Sequence, residues 1–263
     1  MTPRGLAEVL GTPPAPRGTW EHEALYVSTA ALRRGEPPQE LAERVRALPG
    51  IAEVRLRPGA FLEIVVAVPG ELVEDVGAVP PPLPPASPAS PVGAAPAGPS
   101  ASPASSGSPI SSASPVSAGR GEKAGPRWAA GPASPWRPGT WDNPGFAVGY
   151  AHARAVAVAR WAAELGVAGE FRPELLACRR DRAVLRALAE APGRRVSRDP
   201  GWAAYAERLA LVYHDAFERA PALPKGDEEP SALHVARVRL AGAVRQVLAE
   251  ALVAIGLIPP DRL

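Results

Sequence analysis

The chain contains a single cysteine, Cys178, which excludes an internal disulfide framework and fits a reduced compartment. Long apolar runs are also missing. The longest strongly apolar one, Ile64 to Val68, falls far short of the ~20 residues a membrane span needs, and Met1 to Gly18 hold no stretch of signal-peptide length. The expectation is a cytoplasmic protein with no membrane partner. Catalytic patterns are absent too: there is no Gly-rich phosphate loop opening a helix and no serine nucleophile elbow. The four histidines, His22, His152, His214 and His234, show no metal-ligand spacing with one another or with Cys178. No cofactor and no metal are expected, and binding is favoured over turnover.

What is plentiful is proline, 34 residues, and it is unevenly spread. Residues 76–119 carry 12 prolines and no charged side chain. Such a stretch cannot bury enough apolar surface to offset the entropy of ordering it, and it has no hydrophobic period. It reads as a disordered Pro/Ser/Ala/Gly linker, with Arg120 to Trp141 as its basic fringe. The domain reading is 1–75, a small α/β module; 76–141, the linker; and 142–263, an all-α region. The fold class is α+β.

Within 1–75, Ala24 to Arg33 reads as helical or strand-led. Pro37-Pro38 opens a helix over Gln39 to Leu48, and Ile51–Leu56 and Phe61–Val68 flank a Pro58-Gly59 turn as a hairpin. Beyond Asp142-Asn143-Pro144 the period becomes helical. Phe146, Tyr150, Ala153, Ala157 and Trp161 mark one face of a first helix that Gly166 ends. A second helix runs from Pro173 to about Ala191, where Pro192-Gly193 breaks it. Trp202 to Ala216 and Leu233 to Ile255 give a third and a fourth, and four or five amphipathic helices with short connections make a bundle.

Charge is divided. Residues 1–75 are acidic and 143–263 mildly basic, and the densest positive patch holds Arg179, Arg180, Arg182, Arg186, Arg194, Arg195 and Arg198 against Asp181 and Glu190. This patch reads either as a phosphate-binding surface or as a solvated face. Trp202 and Tyr205 lie at core-like helical spacing, but an exposed aromatic there would stack on an unpaired base. His152 reads as a histidine satisfied at a helix interface or as part of a binding face.

In order, the folded segments resemble the two ends of arginyl-tRNA synthetase. The resemblance rests on Tyr26-Val27-Ser28-Thr29-Ala30-Ala31-Leu32, on the helix start Pro37-Pro38-Gln39-Glu40-Leu41, and on the turn Pro58-Gly59-Ala60-Phe61-Leu62-Glu63-Ile64. It is strongest at Asp142-Asn143-Pro144 followed by Tyr150-Ala151-His152-Ala153-Arg154, and at the closing Leu257-Ile258-Pro259-Pro260-Asp261-Arg262-Leu263. Glu63 and Gly149 depart from it, standing where the family has Asn and Gln. The resemblance implies an α/β module that touches the tRNA elbow, a contact that a Glu63 carboxylate would oppose, and an all-α anticodon-binding domain of the DALR type. The family's ATP-binding His-Ile-Gly-His and Lys-Met-Ser-Lys motifs do not occur in this sequence.

The functional expectation is therefore a non-catalytic relative that binds tRNA, with no DNA partner. Candidate contacts are Tyr150, His152, Arg154, Arg179, Arg182, Arg186, Arg194, Arg195, Arg198, Trp202 and Tyr205. The alternative is a protein-interaction module that docks on a synthetase or another protein. One observation separates the two: whether the arginines form a continuous exposed face or pair with acids.

Overall fold

Alternating apolar residues in the N-terminal part build a four-stranded antiparallel sheet, β1 (Ala15–Arg17), β2 (Ala24–Ser28), β3 (Ile51–Arg57) and β4 (Phe61–Val66), in the order β1-β2-β4-β3. The computed structural model describes residues 3–77 and 136–263. Ala24, Tyr26 and Ser28 on β2 and Leu62, Ile64 and Val66 on β4 point to one buried face, as a period of two requires. Helices α1 (Pro3–Leu10), α2 (Ala30–Arg34) and α3 (Pro38–Arg46) supply Leu6, Leu10, Ala31, Leu41 and Val45 to the same core.

The expected hairpin forms as β3–β4, and Pro38 opens α3 near the expected position. Helix α1 and strand β1 were not anticipated, because Pro- and Gly-rich flanks hide an eight-residue helix and a three-residue edge strand. Trp20 is buried between these elements, edge-on to Tyr26 at 5.1 Å, and its indole N–H donates to the Leu25 carbonyl at 3.1 Å.

The linker reading falls on residues outside those described, except at its ends. Val76 and Gly77 close helix α4 (Leu72–Gly77). Trp136 packs against the core, and Trp141 meets Phe146, Tyr150 and His214 edge-on, so 136–141 belongs with the helices it precedes. Two large aromatic rings supply the apolar surface that the uncharged stretch before them lacks.

Five helices follow: α5 (Pro144–Glu164), α6 (Arg179–Leu188), α7 (Ala191–Arg195), α8 (Trp202–Arg219) and α9 (Ala232–Ala254). Asn143 caps α5, its side-chain oxygen accepting from Gly145 N–H at 3.0 Å, and Gly166, at φ 66°, follows the last turn where a left-handed residue is needed. Ser231 and His234 form a reciprocal capping box on α9. The expected second helix is not continuous: Pro173–Leu175 is a 3₁₀ turn, Cys178 caps α6, and Pro192 starts the short α7 instead of only ending its predecessor.

The face of α5 is also corrected. Its core contacts come from Val148, Ala151, Ala155, Val158 and Ala162, whereas Tyr150, Ala157 and Trp161 face away from that core. An alanine-rich helix is apolar nearly all round, so size rather than hydrophobicity decides which side packs closely.

The sheet module and the helices share one compact unit. Helix α4 lies against α9, and the 3₁₀ turn Pro69–Glu71 meets Pro173–Leu175. At that crossing Gly70 is buried and so close that an added Cβ would stand 2.2 Å from the Pro173 carbonyl oxygen. Arg186 donates to the Gly18 carbonyl at 3.1 Å and Arg179 pairs with Glu21 at 2.5 Å, tying α6 to the loop after β1.

Candidate nucleic-acid interface

The arginine-rich stretch is spread over α6, α7 and the turn beyond, and most of its charge is matched locally. Glu190 accepts from Arg186 at 2.8 Å, Arg194 at 2.6 Å and Arg208 at 3.0 Å. Burial alone would raise the Glu190 carboxyl, but the hydrogen bonds from Arg194 and Arg186 reverse this and hold it below the usual carboxylate value. Arg195 makes a two-point contact with Glu250 at 2.8 and 2.7 Å. Arg180 pairs with Asp215 at 3.3 Å, and Arg182 donates to the Ala177 carbonyl at 3.3 Å. Arg198 is exposed beyond α7. These arginines do not form one free cationic face, because Glu21, Glu190, Asp215 and Glu250 are drawn to them from four different parts of the chain.

Three further candidates, Tyr205, Trp202 and His152, pack within the fold. Tyr205 is 1% exposed, its hydroxyl donates to the Ala187 carbonyl at 3.1 Å, and the Arg194 guanidinium covers its ring at 4.6 Å. No ring face is left for a base. Trp202 is half-buried and edge-on to Tyr205. His152 is buried as well, and its Nδ1–H donates to the Pro260 carbonyl at 2.8 Å, which fastens the C-terminal tail to α5.

Tyr150 and Arg154 behave differently. The Arg154 guanidinium lies between two rings, 4.5 Å from the Tyr150 centroid and 4.3 Å from Phe217. It also pairs with Glu218 at 2.8 Å. Tyr150 in turn stacks on Phe146 at 5.5 Å and on His214 at 5.7 Å, with Trp141 at its edge. Beside this stack opens a cleft of about 390 Å³ lined by Tyr150, Arg154, Arg160, Trp161, Phe217 and Arg262. Tyr213, edge-on to Phe217, has a buried hydroxyl with no hydrogen-bond partner among the described residues. Buried polar groups are seldom left unpaired, so the orphan marks this end of α8 as unusual.

Trp141, Phe217, Arg160 and Arg262 were not among the residues singled out as contacts. The available signal was the spacing of Tyr150, Arg154 and Trp161 on α5, which puts them on one side of the helix.

Residues 148–263 match the family model of the DALR anticodon binding domain. The matched span runs from the first turns of α5 to Leu263 and so contains the whole cleft. The DALR region thus carries the C-terminal part of the resemblance to arginyl-tRNA synthetase. Among the described residues no helix is long and apolar enough to cross a membrane, and no group of His, Cys, Asp and Glu is placed to hold a metal ion.

Two histidines of the DALR region, His152 and His214, are expected to make it acid-sensitive. Burial pushes both His152 and His214 below the ordinary histidine value, with Arg154 lowering His214 further. The neutral His214 donates from Nε2 to the Ala147 carbonyl at 2.9 Å and faces Arg154 through Nδ1. In the unfolded chain both imidazoles take up protons near the ordinary pKa of about 6.5, before the folded ones do. Stability is therefore full above that pH and falls as pH drops from about 6.5 towards the depressed folded values. The thermal midpoint is expected to decrease between pH 7 and pH 5.5, and to decrease less in His214→Gln. A level or rising midpoint contradicts this assignment.

Proposed function

We propose that the chain binds tRNA through its DALR region without aminoacylating it. The observation that carries this reading is the match of residues 148–263 to an anticodon binding domain. The aromatic–arginine cleft supports it, because flat rings interleaved with guanidinium groups suit unpaired bases and their phosphates. The non-catalytic part rests on the sequence: neither ATP-binding motif occurs, and residues 76–119 offer no composition from which a nucleotide-binding sheet could be built.

Of the contacts expected from sequence, Tyr150 and Arg154 are the two that line the cleft, with the Arg154 charge shared with Glu218. The acid-paired arginines of α6 and α7 lend themselves less to phosphate binding. That same pairing favours a second reading, a region that docks on a synthetase or another protein.

Electrophoretic shift of total tRNA at two salt concentrations tests the first reading. Each phosphate contact contributes roughly 0.7 to 0.9 to the salt slope, so Arg160 and Arg262, the cleft arginines without an acid partner among the described residues, imply a slope of about −1.4 to −1.8. Absence of a shift at low salt, or a shift indifferent to salt, rejects RNA binding and leaves protein docking.

A further inference from the structure

Part of the cleft is not used by the Tyr150–Arg154–Phe217 stack. Trp161 stands in it with 40% of its surface exposed, although tryptophan is the side chain with most to gain from burial. Tyr150 and Trp161 both line the cleft, yet they lie about three turns apart on α5, a rise of ~16 Å. One base cannot touch both rings.

The charges around Trp161 differ from those around α6. The Arg160 guanidinium is 5.9 Å from the Trp161 centroid, and neither Arg160 nor Arg262 has an acid partner among the described residues. Of the three arginines that line the cleft, Arg154 is matched by Glu218, which leaves Arg160 and Arg262 against Asp261. An exposed ring, unpaired guanidinium groups beside it and a positive surplus together suit an aromatic base attached to a phosphate.

We infer that Trp161 stacks on a second unpaired RNA base, distinct from any base held at Tyr150 and Arg154, and that Arg160 and Arg262 hold the neighbouring phosphates. The cleft then takes a splayed single strand of at least two nucleotides. This inference rests on the RNA-binding reading above.

The test uses the full chain and total tRNA in a shift titration. Trp161→Ala is expected to weaken binding about 5- to 150-fold, the usual loss for one stacked base, while Trp161→Phe keeps most of it by retaining a π face. Arg160→Ala combined with Arg262→Ala is expected to lower the salt slope by about 1.4. Because it removes only exposed side chains, this pair keeps the test open even where Trp161→Ala does not fold.

If wild type shifts tRNA and Trp161→Ala binds equally well, the second platform is refuted and the RNA reading stands. If wild type shifts no tRNA at low salt, the RNA reading itself fails and the platform with it. Competition supplies the remaining control. Oligouridylate is expected to displace tRNA, and poly-L-glutamate at equal charge is not; equal displacement assigns the cleft to acidic polymers at large and overturns base stacking.

Discussion

Asp181→Ala is expected to cost about 3–5 kcal/mol of stability, the largest loss of any single change considered for this protein. Asp181 is 1% exposed in the first turn of α6 and takes Arg237 of α9 at 3.2 Å. Arg237 is itself mostly buried and also donates to the Pro221 carbonyl at 3.1 Å. Removing the carboxylate leaves a desolvated guanidinium with only neutral acceptors, which is why the cost exceeds the net worth of the pair. Urea unfolding followed by far-ultraviolet circular dichroism measures it. Asp181→Leu combined with Arg237→Met is expected to recover much of the loss, since an apolar pair has no charge left to strand. A single variant with wild-type stability would show that water reaches Arg237 freely.

Gly70→Ala is expected to unseat the sheet module from the helices. The new methyl group would lie 2.2 Å from the Pro173 carbonyl oxygen and 2.8 Å from its carbon. Both obstacles are backbone atoms and cannot turn aside as a side chain would. Overpacking by one carbon ordinarily costs about 1–3 kcal/mol, and here the strain is relieved only by moving one element from the other. The expected readout is a lower thermal midpoint, together with proteolytic cleavage in 69–77 that wild type resists. Unchanged melting and unchanged protection would show that the two turns slide apart without loss.

Much of this architecture was legible from local chemistry. Asn143-Pro144 before α5, Ser231 before α9 and Pro38 at the start of α3 act within a few residues, and each stands at a helix start in the structure. The errors share a cause in distance. The Arg179–Arg198 patch looks cationic because Asp181 and Glu190 are the only acids within it, whereas Glu21, Asp215 and Glu250 reach it from elsewhere in the chain. Tyr205 has the period of either a core or a stacking residue, and only the Ala187 carbonyl and the Arg194 guanidinium decide between them. On α5, Tyr150 and Trp161 mark one face of the helix in the sequence, yet the residues buried against its neighbours are chiefly alanine and valine.

The Gly149 departure takes on a local meaning. A Cβ at this position would stand 2.7 Å from the Trp136 ring and 3.2 Å from Leu263, so the absence of a side chain lets the segment before α5 and the end of the chain settle together on one helix. A glutamine there would compete with both for the same surface.

The seam between the sheet module and the helices also changes how residues 78–135 are to be regarded. Both flanks of that stretch are anchored in the same body, one through α4 on α9 and the other through Trp136 on the core. The two described ends, Gly77 and Trp136, thus belong to one compact unit. The distance from the sheet module to the Tyr150–Trp161 cleft is therefore set by the seam of α4 on α9, through contacts among folded elements.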